Sequence, residues 1–210
     1  MKFSCLWFTF TLLYLAGALN CFGQGADFQI KTFTTEHGLS HNVIHSITQD
    51  RTGFLWLATW DGLSRFDGNE FRNYRHNPDD SGSLPFFAPA RVIADSLNNL
   101  WVLTSGWPVY KYNRARDNFR PAFDGLYKDA PAGDLVTVSG GNIWVSLETE
   151  LLLHNPVLEE YTPFRIILND PAVPVVAATY PALSVDNLGQ LWLLFRNNEE
   201  WRIYKGIISG

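Results

Sequence analysis

Apolar and polar positions along most of this chain alternate in short bursts, with no long stretch repeating every 3.6 residues. Turn residues recur every ten or so positions and prolines are scattered, so the pattern predicts short β-strands and no long helix. The stretch "FLWLAT" shows the alternation most clearly. It places Phe54, Trp56 and Ala58 on one face and Leu55, Leu57 and Thr59 on the other. Both faces are largely apolar, as an inner strand packed between two neighbouring sheets requires.

The same pattern returns along the chain. "ITQDRTGFLWLAT", "VIADSLNNLWVLT" and "LSVDNLGQLWLLF" each carry an Asp six residues before a Trp: Asp50 and Trp56, Asp95 and Trp101, Asp186 and Trp192. Gly or Asn stands three after the Asp. A weaker copy, "VTVSGGNIWVSL", centres on Trp144 and has Val138 in place of the Asp. The intervals between successive Trp are 45, 43 and 48 residues. Downstream of each Trp comes a second apolar run ("GLSRFD", "VYKYN", "LLLHN", "WRIYK"). In the first two units, and less clearly in the third, another aromatic strand follows ("EFRNYR", "NFRPAF", "EYTPF"). Up to four short strands per unit at this period is the length of a β-propeller blade. The predicted fold is all-β, a propeller of about four repeats over roughly 38–80, 84–125, 130–165 and 180–210. A β-sandwich would use similar strands but would not repeat the Asp-to-Trp spacing. Asp with Gly53, or Asp with Asn, suits a tight hairpin, because Asp bonds nearby backbone N–H groups and Gly accepts positive φ. The four repeat Trp are expected to fill the space between blades.

Composition adds constraints. The chain has 210 residues, 46% hydrophobic and 15% aromatic, with eight Trp and 15 Phe, enough for a substantial core. Net charge is −5 and there is no basic run, which argues against nucleic-acid binding. The first residues read as an export signal over about 1–24. Lys2 precedes the uncharged apolar run "FSCLWFTFTLLYLAGALN", and small residues follow in "CFGQGA". An uncleaved anchor and a lipoprotein signal at Cys21 are the alternatives. Both cysteines, Cys5 and Cys21, lie in this leader, so a mature domain cut after Gly23 has neither disulfides nor Cys-ligated metal.

The stretch "GLSHNVIHSITQDRTGFLWLATWDGLSRFDGNEFRNYR", residues 38–75, resembles the two-component regulator propeller repeat. Eighteen positions carry the resemblance, among them Gly38, Leu39, Ser40, Asn42, Asp50, Gly53, Trp56, Thr59, Gly62, Arg65, Asp67, Gly68, Phe71 and Tyr74. The second unit departs from it at Asn98, the third lacks the Asp, and the fourth loses the later Gly-Leu. The resemblance implies the exported N-terminal propeller of a hybrid histidine kinase type of sensor, reading extracellular or periplasmic ligands, frequently oligosaccharides. Full-length relatives are expected to dimerise and span the membrane. The five histidines, His37, His41, His45, His76 and His154, show no phospho-acceptor context, so no kinase chemistry is expected of this chain. Fewer blades than such sensors usually hold implies a partial, open propeller, a truncated gene and self-association through an exposed edge. The segment "DFQIKTFTT", residues 27–35, matches the position of a strand that would close a full ring.

Chemistry is sparse. His37, His41 and His45 are four apart, a metal spacing on a helix but not on a strand, so neither a metal nor a cofactor is expected. Serines lack the Gly-x-Ser-x-Gly context. For ligand binding the candidates are Trp60, Asp61, Arg65 and Trp107, with Trp201 as a further aromatic beside a turn. Exposed aromatics there would stack on sugar rings while Asp61 or Arg65 hydrogen-bonds hydroxyls. A secreted propeller enzyme, a lyase or glycan-active protein, is the alternative reading.

Overall fold

The computed structural model describes residues 29–206 apart from 86–87, 105–107, 124, 128–129, 138–140, 148–149, 168–180 and 198–199. The leader expectation over 1–24 therefore lies outside the described residues, as does Trp107. The chain divides into Met1–Thr32 and Phe33–Gly210, and the second unit carries the fold.

Among the described residues, 15 strands form four antiparallel sheets arranged as propeller blades. Blade A holds β1 (Ile44–Gln49), β2 (Leu55–Thr59), β3 (Gly62–Phe66) and β4 (Phe71–Tyr74). Blade B holds β5 (Pro89–Ala94), β6 (Leu100–Thr104), β7 (Val109–Asn113) and β8 (Asn118–Pro121). Blade C holds β9 (Asp134–Thr137), β10 (Ile143–Ser146), β11 (Glu150–Asn155) and β12 (Glu160–Arg165). Blade D has three described strands, β13 (Ala182–Val185), β14 (Leu191–Asn197) and β15 (Glu200–Lys205). Each blade is a meander whose strands pair in sequence order. Helical structure is confined to two 3₁₀ turns, Thr35–His37 and Gly125–Tyr127.

The first strands stand side by side in the order β1, β5, β9, β13, and among the described residues no comparable packing joins β13 back to β1. The sheet faces meet between blades. Trp56, Ala58 and Leu63 of blade A are buried against Leu84, Val92, Leu100, Val102, Tyr112 and Phe119. Trp101, Leu103 and Val109 of blade B meet Leu135, Ile143, Val145 and Leu152 of blade C. Trp144 and Leu151 of blade C meet Leu183, Leu191, Leu193 and Phe195 of blade D. The apolar faces leave water only when the next blade covers them, so burial between blades is the main driving term. The other face of blade A, with Leu57, Phe66 and Phe71, is covered in part by Leu39 and Phe33.

The described part of the expected closing segment, residues 29–35, contains no strand. Phe33 packs instead on blade A, with ring centroids 4.8 Å from Phe66 and 5.8 Å from Phe71.

Candidate functional site

The repeat's Asp and Trp form one unit in three blades. Asp50 follows β1 and turns the chain: its Oδ1 accepts from the Thr52 N–H, the Thr52 hydroxyl and the Phe54 N–H, while Oδ2 accepts from Trp56 Nε1 at 2.9 Å. Asp95 receives Leu97 N, Asn99 N and Trp101 Nε1, and Asp186 receives Leu188 N, Gln190 N and Trp192 Nε1. Gly53 and Gly189 take the left-handed conformation at φ 93° and 78°, and Asn98 takes it at φ 66° in the second blade. Burial pushes the Asp50 carboxyl up, but hydrogen bonds from Thr52, Trp56 and Arg114 outweigh it and hold the group below the ordinary aspartate value. Each carboxylate is thus engaged by its own turn and its own Trp. The third blade keeps Trp144 buried without an Asp, and Val138 lies outside the described residues.

Trp60 and Asp61 belong to a different kind of feature, the turn between β2 and β3. Thr59 holds this turn: its hydroxyl donates to Gly62 O and accepts from Asp61 N. Ser40 Oγ lies 2.8 Å from the same hydroxyl and 2.7 Å from Ser64 Oγ, beneath the turn. Side-chain hydrogen bonds thus brace the tip from below. Trp60 N donates to Val43 O, and its side chain is 64% exposed. A β-bulge between Ile44 and Ser46 makes His45 an extra residue in β1. Bulges redirect side chains, and the His45 ring lies 5.9 Å from the Trp60 ring. Asp61 pairs with Arg75 Nε at 2.8 Å, both partly exposed. An aromatic ring, an imidazole and a carboxylate–guanidinium pair thus share one end of blade A.

Arg65 is not part of that group. β3 pairs Thr59 with Gly62 and Trp56 with Arg65, so Arg65 lies three residues along the strand from the turn. Its guanidinium sits 4.6 Å over the Phe54 ring and 5.7 Å from Trp56, at the junction with blade B. Cross-strand pairing explains this, because a residue directly opposite Trp56 shares its face of the sheet. The sequence points neither to His45 as a neighbour of Trp60 nor to Arg75 as the partner of Asp61. Arg75 follows the repeat's Tyr74 and could have been noticed; nothing local signals the bulge. Trp201 lies on β15 of blade D and is exposed, on a different blade from Trp60. Among the described residues no three His, Cys, Asp or Glu side chains are grouped to hold a metal ion.

Residues 38–61 match the family model described as Two component regulator propeller. The matched residues hold β1 and β2 of blade A and the segment before them. Seventy-three residues of the chain are 42% identical to Histidine kinase P4 of Formosa agariphila, which is 35% of this chain and 5% of that protein. In fold, the four blades are similar to the extracellular domain of a putative hybrid two component system from B. thetaiotaomicron (TM-score 0.59, 20% identity, 84% of this chain and 32% of that chain). They are also similar to a catalytically inactive virginiamycin B lyase from Staphylococcus aureus, with TM-score 0.52, 16% identity and coverage of 77% of this chain and 55% of that one. At these identities the two structures share the fold alone. The chain spans about a third of the length of the first and a twentieth of the kinase. No described helix is long and apolar enough to cross a membrane.

Proposed function

We propose that these blades are the exported ligand-sensing propeller region of a two-component sensor and that they bind an oligosaccharide at the Trp60 turn. The observation that carries the reading is the Trp60 ring, held out on a braced turn beside Asp61, Arg75 and His45. An exposed indole face suits the C–H face of a pyranose. Asp61 accepts from sugar hydroxyls and Arg75 donates to them, giving orientation to an otherwise apolar contact. The regulator propeller repeat and the extracellular relative support the sensor role, and the apolar leader supports export. This reading assigns ligand recognition, and no phosphoryl transfer, to these blades.

Isothermal titration calorimetry against oligosaccharides of varied linkage tests it. At least one sugar binds the wild-type chain, and Trp60→Ala weakens that binding tenfold or more while leaving the unfolding transition in place. Sugar binding that ignores both Trp60→Ala and Arg75→Ala removes the site, and no binding by any sugar removes the ligand class. Turnover of a sugar would replace the sensor reading with the enzyme one.

A further inference from the structure

One row of side chains crosses each blade beside its repeat Trp. In blade A, Trp56 pairs with Arg65 on β3, and Arg65 pairs with Arg72 on β4. In blade B, Trp101 pairs with Lys111 on β7, and Lys111 pairs with Arg120 on β8. In blade C the same positions hold Leu153 and Thr162. Directly opposed residues share a face of the sheet, so blades A and B each set two cations side by side on the face that meets the next blade. Like charges at opposed positions repel, and an enclosed cation needs an anion or an acceptor beside it.

The next blade supplies a carboxylate to each row. Asp117, in the β7–β8 turn, and Glu159, in the β11–β12 turn, both take the left-handed conformation, at φ 53° and 55°. At the B–C junction the acid meets the enclosed cation: Glu159 accepts from Nζ of the buried Lys111 at 2.7 Å, and Arg120 is exposed. At the A–B junction it does not. Asp117 Oδ2 pairs with Arg72, while its Oδ1 accepts from the Tyr74 and Tyr112 hydroxyls. Arg65, the counterpart of Lys111, lies over the Phe54 ring, and its buried Nε has no hydrogen-bond partner among the described residues. Burial pushes the Asp117 carboxyl up, but the two hydroxyls and the charges of Arg72 and Arg65 hold it below the ordinary aspartate value, so both guanidiniums act on this one acid. The other acid that acts on Arg65, Asp67, is exposed and accepts from its own turn amides, Asn69 N and Glu70 N. Arg114, 5.8 Å from the Tyr112 ring, is taken by Asp50 Oδ2 and the Asn98 carbonyl.

We infer that the A–B junction binds a tetrahedral oxyanion, a sulfate or phosphate group, held between the guanidiniums of Arg65 and Arg72. The two arginines face a single acid whose oxygens are already engaged, and Arg65 is left without a bonded counter-ion. Arg72 is 58% exposed and gives access from solvent. Guanidinium N–H groups match oxyanion oxygens in charge and in their planar fork, and such charge-assisted bonds are about twice as strong as neutral ones. An uncharged ligand would leave the opposed guanidiniums uncompensated. A bound oxyanion would join β3 and β4 of blade A to the acid-bearing turn of blade B, so occupancy stabilises the folded chain. The row lies three residues along β3 from the turn that carries Trp60 and uses no residue of that surface, so this site does not depend on the ligand proposed there.

Thermal unfolding and isothermal titration calorimetry on the full chain test the site. The probes are sodium sulfate, sodium phosphate and glucose 6-phosphate, with sodium chloride at equal ionic strength as the reference. Sulfate and phosphate raise the melting temperature above the chloride value and bind one to one. Arg72→Gln, at an exposed position, and Arg65→Gln, which removes the cation without a bonded counter-ion, each weaken binding tenfold or more while the melt in chloride stays cooperative. Arg165→Gln, exposed on blade C, leaves binding unchanged. Inorganic phosphate binding as tightly as glucose 6-phosphate assigns the site to the free ion, and tighter binding of the ester assigns it to a phosphoryl group carried on a larger ligand. Equal melting temperatures in sulfate, phosphate and chloride overturn the inference. So does stabilisation that survives Arg72→Gln, the behaviour of ions excluded from the protein surface as a whole.

Discussion

Trp56 gives its indole proton to Asp50 Oδ2 at 2.9 Å, and the same bond joins Asp95 to Trp101 and Asp186 to Trp192, each at 3.0 Å. The six-residue spacing of the repeat follows from it. Asp50 stands one residue past β1, and Trp56, in β2, pairs with Thr48 two residues before it. One carboxylate thereby closes the turn with Oδ1 and satisfies a buried indole N–H with Oδ2, so a large ring is buried between blades without an unpaired donor.

Asp50→Ala leaves the Trp56 N–H and the turn amides without their acceptor and costs about 2–4 kcal/mol, more than an ordinary turn substitution. Urea unfolding of the single variant reads this directly. The Asp50 and Asp186 carboxyls sit below the usual aspartate value, Asp186 through the Trp192 hydrogen bond first. Their stabilisation is present above about pH 4 and is lost as pH falls through the lowered folded-state values.

Gly62→Ala is expected to be far more damaging than Gly53→Ala. Both glycines have positive φ, 99° and 93°, so each substitution carries about 1–2 kcal/mol of backbone strain. A Cβ at Gly53 meets open space, whereas one at Gly62 runs into the Tyr74 carbonyl of the neighbouring strand β4. Parallel thermal melts of the two variants give the difference.

His154→Phe is expected to flatten the acid side of the stability profile. The ring is buried between Trp101 and Phe123, with centroids 5.0 and 5.8 Å away, and neither nitrogen reaches a hydrogen-bond partner of good geometry. Burial holds the imidazole below its ordinary value, so it stays neutral where the unfolded chain already binds a proton. Stability is therefore complete above about pH 6.5 and declines as pH falls from there toward the lowered folded-state value. Blades A and B carry Phe66 and Tyr112 at this position, which makes Phe sterically admissible. Chemical unfolding between pH 7.5 and 5 should show the wild-type loss and its absence in the variant.

Glu159→Gln is expected to weaken the junction between blades B and C. Glu159 accepts from Lys111 Nζ at 2.7 Å, and that hydrogen bond is the main reason its carboxyl lies below the ordinary value. Lys111 is buried, with its ammonium 5.0 Å from the Trp101 ring centroid. Removing the charge leaves a buried ammonium half compensated, at a cost of about 1–2 kcal/mol because Glu159 itself is partly exposed. The double variant Lys111→Met, Glu159→Gln should recover most of it in a double-mutant cycle.

The blade architecture was legible along the chain because its cause is local. Strand alternation, turn residues and a period near 45 residues are all consequences of backbone geometry, and the division of Phe54, Trp56 and Ala58 from Leu55 and Leu57 holds in the packed faces. The turn role of Asp50 could also be read from sequence. Its bond to the indole could not, since the five intervening residues must first fold into a hairpin. Candidate site residues fared unevenly for the same reason. Trp60 and Asp61 adjoin in sequence and stay together on one turn, while Arg65 is turned by strand alternation into the stack on Phe54 and Trp56.

What the amino-acid order determined alone was the repeating unit: which residues alternate, where each hairpin turns, and which Trp is destined for burial. Only the tertiary structure decided which faces those Trp meet. It set His45 beside Trp60 through a bulge in β1, placed Phe33 on blade A, and left Trp192 and Ile203 on an open face. The reason is physical. Hydrogen-bonded turns and side-chain alternation act over a few residues, whereas burial depends on which surface, distant in sequence, arrives to exclude water.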